Sequence, residues 1–167
     1  MKTFKSIFIV FILSLVVTNT VWADKKNYPA KLGELKKIRM IEGEKAIQSV
    51  MKLHLGAKIT LEDAIVAEYK GDNGKKAIIW ASMSETSKTA ENLIRRMNKK
   101  MPSSNMYRNF KSIKINGCKI YSVDGMGMKN YYFGKNKWNY WLAVNTANSR
   151  AVLNDFMGNL TGCKNSE

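Results

Sequence analysis

Tight-turn signals divide the second half of this chain into short segments of alternating character, and that punctuation limits the fold more than any other feature of the sequence. Asn116-Gly117, Asp124-Gly125 and the run Gly134-Lys135-Asn136 supply residues that tolerate the positive φ of a tight hairpin turn. Between and around them lie four strand-length segments, 110–115, 118–123, 129–133 and 138–144. In the last, Trp138, Tyr140, Leu142 and Val144 fall on one side of a period-two pattern, and Trp141 and Ala143 on the other. Segments joined by such short turns pair antiparallel, because a parallel connection needs a dozen or more residues. Asn73-Gly74 repeats the signal earlier, between 62–69 and 75–83, where Ile78 and Trp80 oppose Ile79, Ala81 and Met83. Apolar residues on both sides of these strands predict partial cover on both faces of the sheet.

Three segments carry helical spacing instead. In 44–55, Ala46, Ile47, Val50, Met51 and His54 share a face, and Gly56 fits a stop. In 85–101, Ala90, Leu93, Ile94, Met97 and Met101 share a face while Lys88, Arg95, Arg96 and Lys99 lie largely elsewhere, with Ser84 as the expected N-cap. In 148–160, Val152, Leu153, Phe156, Met157 and Leu160 line one side. The fold class expected is α+β: a single domain with a mostly antiparallel twisted sheet of about six strands and about three helices packed on it, in the manner of a three-layer α/β/α sandwich. This element order resembles that of small three-layer sandwiches such as the PsbP-like class. The resemblance rests on no motif and implies a fold alone. An internal echo is also present, since 64–101 and 128–160 both read strand, turn, strand, helix, with Tyr69 and Trp80 matching Tyr132 and Trp141.

The N-terminus bears on compartment. Lys2 and Lys5 precede the apolar run SIFIVFILSLVV, and Val21-Trp22-Ala23 supplies small residues at the −3 and −1 positions. The pattern is that of a signal peptide over 1–23, cleaved after Ala23, and it predicts a periplasmic or secreted protein. Residues 24–34 are expected to form a basic tail and 35–167 the α+β domain. No later apolar run is long enough to cross a bilayer as a helix, which takes about 20 residues. The two cysteines, Cys118 and Cys163, are expected to form a disulfide in an oxidising compartment. Closing that loop is worth about 4 kcal/mol in the chain-entropy treatment.

Charge is unevenly spread. Residues 24–72 carry ten Lys/Arg and eight Asp/Glu, whereas 73–167 carry sixteen and five. A basic second half favours anionic neighbours, such as an envelope polymer, lipid head groups or an acidic protein; export disfavours nucleic acid. The stretch GMGMKNYYFGKNKWNYWLAV, residues 125–144, interleaves lysine with aromatic side chains, the ingredients of a basic–aromatic binding surface. The candidate ligand-binding residues are Lys129, Tyr132, Lys135, Lys137 and Trp141, with Arg95 and Arg96 from the preceding helix.

Catalytic signals are sparse. His54 is the sole histidine, which rules out a site built on two imidazoles. An enzyme using His54 with a carboxylate from Glu42, Glu44, Glu62 or Asp63 is the competing reading. There is no GxSxG, HExxH, EF-hand loop or phosphate-binding GxxxxGK[ST]. Methionines are soft ligands for Cu(I), but Met97 and Met101 fit a core face and only Met106, Met126 and Met128 look loop-borne. No metal and no cofactor is expected. The leading expectation is an exported, non-catalytic envelope protein with an anionic partner.

Overall fold

A computed structural model describes residues 28–54 and 59–160. Three segments thus lie outside the described residues: 1–27, with the expected cleavage site, 55–58, with the expected helix stop Gly56, and 161–167, with Cys163. The described chain runs β1 (Lys31–Leu32), β2 (Leu35–Glu42), α1 (Glu44–Lys52), β3 (Asp63–Lys70), β4 (Lys76–Met83), α2 (Ser87–Lys100), β5 (Tyr107–Ile115), β6 (Cys118–Gly125), β7 (Met128–Lys135), β8 (Trp138–Asn145) and α3 (Ser149–Asn159). The strands form one open sheet in the order β1-β2-β3-β4-β8-β7-β6-β5, antiparallel at every pairing. The expected α+β domain is therefore present, with eight strands rather than six.

The two additional strands come from the segment before residue 44. Residues 28–34 belong to the fold and not to a tail: Tyr28 and Leu32 are buried, and the Lys37 ammonium bonds the Tyr28 carbonyl at 2.7 Å. β2 hides its strand character because its pairing with β3 shifts register between Lys37 and Arg39. A bulge there breaks the period-two pattern by one residue, and Ile38 is left 52% exposed.

Helix ends follow local chemistry. The N-cap of α2 is Thr86, whose hydroxyl accepts from the Thr89 amide at 3.1 Å, and not Ser84. Ser84 is fully buried, and its amide donates to the Lys137 carbonyl at 2.9 Å, extending the β4–β8 ladder at the centre of the sheet by one bond. Asn148 caps α3 by accepting from the Ala151 amide. The turn between β6 and β7 is Met126-Gly127, at φ 56° and 70°, two residues later than the Asp124-Gly125 signal. Gly125 instead lies in the strand, and it must be glycine for another reason. A Cβ there would sit 2.4 Å from Cδ1 of Tyr107.

Three layers result. α3 packs on one face, where Phe156, Leu153 and Met157 join Ile65, Tyr69, Ile79, Leu142 and Phe133 in the main core. α1 and α2 share the opposite face, each over its own smaller cluster: Ala46 and Val50 with Ala64 and Val66, and Ile94 with Val123 and Tyr132. The echo between the two halves is confined to strands. Trp80 and Trp141 are direct cross-strand partners, but rotating one half onto the other about that pair sets Val66, not Tyr69, on Tyr132. Tyr69 belongs to the α3 core and Tyr132 to the cluster under α2, so the two tyrosines face opposite ways.

Candidate basic–aromatic surface

On the face shared by α1 and α2, one row of residues in register crosses the sheet: Ile41, Val66, Trp80, Trp141, Tyr132, Tyr121 and Ser112. Strands about 4.8 Å apart carry these side chains side by side. The aromatic members stack. Trp141 and Tyr132 lie 5.3 Å apart with planes 7° from parallel, Tyr132 and Tyr121 lie 5.4 Å apart, and Phe110 continues the stack at 5.9 Å from Tyr121.

The middle of this ladder is core. Tyr132 is fully buried and its hydroxyl donates to Oδ1 of Asn98 on α2 at 2.9 Å, so burial pushes its pKa well up. The half-buried Trp141 donates its indole N–H to Oδ1 of the buried Asn130 at 3.1 Å, and Tyr107 meets its ring edge-on. These two aromatics satisfy their polar atoms inside the protein, as buried Tyr and Trp do.

The lysines proposed alongside them point elsewhere. Lys129 and Lys135 occupy odd positions of β7, on the side of Tyr131 and Phe133 that faces α3; Tyr132 is on the other side. Six residues of strand also separate the two, about 20 Å. Lys129 is engaged with Asp124 at 2.8 Å; that ammonium first, and the Asn109 amide second, lower the carboxyl's pKa. Partial burial lowers the Lys135 pKa. Lys137 lies in the exposed turn before β8. Arg95 and Arg96 lie on the outer side of α2, both exposed, with Arg95 bonded to Asn92. The structure thus distributes the sequence-derived set over two faces and does not gather it into one site.

It does gather a different set, at the outer end of the same ladder. Beyond α2 the row emerges at β6 and β5, where Tyr121 and Phe110 are half-buried. The exposed Lys119 holds its ammonium 5.4 Å from the centroid of the Tyr121 ring. Lys114 sits directly opposite Lys119 on β5, exposed and on the same face. Like charges facing each other across a strand pair destabilise the sheet, while a cation over an aromatic face is favourable. Two ammonium groups beside two stacked rings form a platform suited to an anion carrying apolar bulk. Strand parity within 110–121 could have revealed the set, because Lys114 and Lys119 become partners once Asn116-Gly117 is taken as the turn.

Two further candidates, His54 and Asp63, make local contacts. Nδ1 of His54 lies 3.0 Å from the Val50 carbonyl in the last turn of α1, just before it, and Asp63 accepts from the Ala64 amide at 2.7 Å. Among the described residues no group of three or more His, Cys, Asp or Glu side chains could hold a metal ion, and no helix is long and apolar enough to cross a membrane. No protein-family model and no curated protein matches the chain. Among solved structures, a GTP-binding regulator from Thermotoga maritima is similar at a TM-score of 0.49 and 10% identity, over 80% of this chain and 84% of that one.

Proposed function

We propose that this protein is an exported, non-catalytic component of the cell envelope that binds an anionic partner through a basic–aromatic surface, and that the surface is the β5–β6 platform of Lys114, Lys119, Tyr121 and Phe110. The observation that carries the proposal is the cross-strand Lys114–Lys119 pair beside a ring that already holds one of its ammonium groups. Lysines on a sheet edge often serve only to discourage edge-to-edge pairing. That purpose accounts for Lys114 on the edge strand β5. It does not account for Lys119, which stands on β6, one strand in from the edge.

The basic second half of the chain supplies long-range attraction, and the platform supplies a place for it to act. Export over the 1–23 segment fits the same reading. So does a Cys118–Cys163 disulfide: Cys118 is buried in the same core as Leu160, three residues before Cys163. Retention of an envelope component on immobilised protein, weakening as salt rises, tests the binding. The same capture by a Lys114→Glu/Lys119→Glu variant would refute the platform. Two reactive thiols in the denatured, unreduced protein would refute the disulfide.

A further inference from the structure

Among the described residues, five other than glycine hold a positive φ: Asn73, Asn109, Asn116, Asn136 and Met126. Four are asparagines, whose short amide tolerates the left-handed region. Met126 is the exception, at φ 56° in the β6–β7 turn with 79% of its surface exposed. A long apolar side chain there costs about 1 kcal/mol in backbone energy relative to a residue suited to the turn. It also leaves a thioether in water. A strained, exposed residue that gives nothing to the core invites a functional explanation.

Its surroundings supply one. Tyr107, Gly125 and Met128 are in register across β5, β6 and β7. The residue before Tyr107 is Met106, 68% exposed, and the residue after Gly125 is Met126. The three methionines therefore flank one glycine, and all three line a single open depression of about 470 Å³. The Tyr107 ring lies against Gly125, and its hydroxyl donates to the Met126 sulfur at 3.9 Å. That contact orients the thioether and leaves its second lone pair available. Asp124 and Lys129, which also line the depression, pair with each other at 2.8 Å, so the one carboxylate present is already committed to a cation and to the Asn109 amide. Hard divalent ions want several oxygen ligands. Thioethers select soft ions, Cu(I) above all.

We propose that Met106, Met126 and Met128 form a thioether site for a soft monovalent metal ion, Cu(I) or its stand-in Ag(I). Leucine keeps the volume of methionine and removes the sulfur, so Met→Leu variants isolate the ligand. The experiment titrates the protein anaerobically with Cu(I) against a chromogenic Cu(I) chelator and repeats the titration with silver nitrate in chloride-free buffer. The parent is expected to withdraw one equivalent of metal from the competitor. Met106→Leu/Met126→Leu/Met128→Leu withdraws none, while Met40→Leu and Met157→Leu, which alter core methionines, withdraw as much as the parent. Tyr107→Phe, which removes the hydroxyl that orients the Met126 thioether, weakens binding by about tenfold, as loss of an orienting hydrogen bond does at metal sites. The single Met126→Leu change, at an exposed turn, serves if the triple variant does not fold, and is expected to lose the metal. No withdrawal by the parent, or equal withdrawal by the parent and the Leu variants, overturns the site.

Discussion

The two faces of the sheet are built on different terms. The α3 face is one continuous apolar core that reaches from Tyr28 and Leu32 at one edge to Cys118 and Ile120 near the other. The opposite face is divided between two helices, and its clusters are small. It carries polar inlays: Asn130 holding Trp141, Asn98 holding Tyr132, and Ser84 and Asn139, whose side-chain polar atoms are buried without a hydrogen-bond partner. Its aromatic ladder runs out from under α2 into a pair of facing lysines. One face carries the stability; the other gives up some of it, and both proposed sites border it.

The largest expected effect sharpens that contrast. Phe156 is fully buried and touches the rings of Tyr28, Phe133 and Tyr140. Phe156→Ala should cost about 3–5 kcal/mol in urea denaturation. Ile94→Ala, the corresponding anchor under α2 at 9% exposure, should cost about 2 kcal/mol. Equal costs would erase the distinction between the faces.

A smaller effect has the opposite sign. Burying a hydroxyl without a partner is unfavourable by about 1 kcal/mol or more. Ser84→Ala, which removes such a group and keeps the backbone bond to Lys137, should leave stability unchanged or raise it by about 1 kcal/mol in the same assay. A loss of more than about 1 kcal/mol would show that the hydroxyl is satisfied and that this face is well packed.

The smallest effect concerns pH. The Asp124 carboxyl has its folded pKa lowered, first by Lys129 and then by Asn109. Its contribution to stability is present above the ordinary carboxylate pKa of about 4 and lost as pH falls through the folded value. Both side chains are about a third exposed, so solvent screening should keep the contribution under about 1 kcal/mol. Asp124→Asn should therefore melt slightly below the parent at pH 7, with the gap closing as pH falls below the ordinary carboxylate range. A gap that widens in acid would reverse the sign of the coupling.

Much of this architecture is legible in the sequence. The hairpin signals and the period-two segments located β3 to β8, and helical spacing located all three helices. Alternation also placed Trp138, Tyr140 and Leu142 opposite Trp141 correctly. The rest is hidden in the sequence for physical reasons. β1 has two residues, too few for a pattern, and the bulge between Lys37 and Arg39 scrambles the alternation of β2. The candidate binding residues of β7 and β8 are neighbours in sequence, whereas a strand sends neighbours to opposite faces. Lys129 and Tyr132 differ in parity, and that alone separates them. Lys114 and Lys119 share a face because a two-residue turn folds one onto the other.

The central claim is that binding is local to that pair and is not a property of net charge. The direct test sediments protein with vesicles containing anionic lipid, and separately with a sulfated polysaccharide, at low and high salt. It compares two variants with the same change in charge, Lys114→Glu/Lys119→Glu and Lys135→Glu/Lys137→Glu. The account predicts that the first loses most of its salt-sensitive binding to at least one of these polyanions while the second keeps most of it. Equal losses in the two variants would contradict it, because they would show that the protein's overall charge, and no particular surface, does the binding.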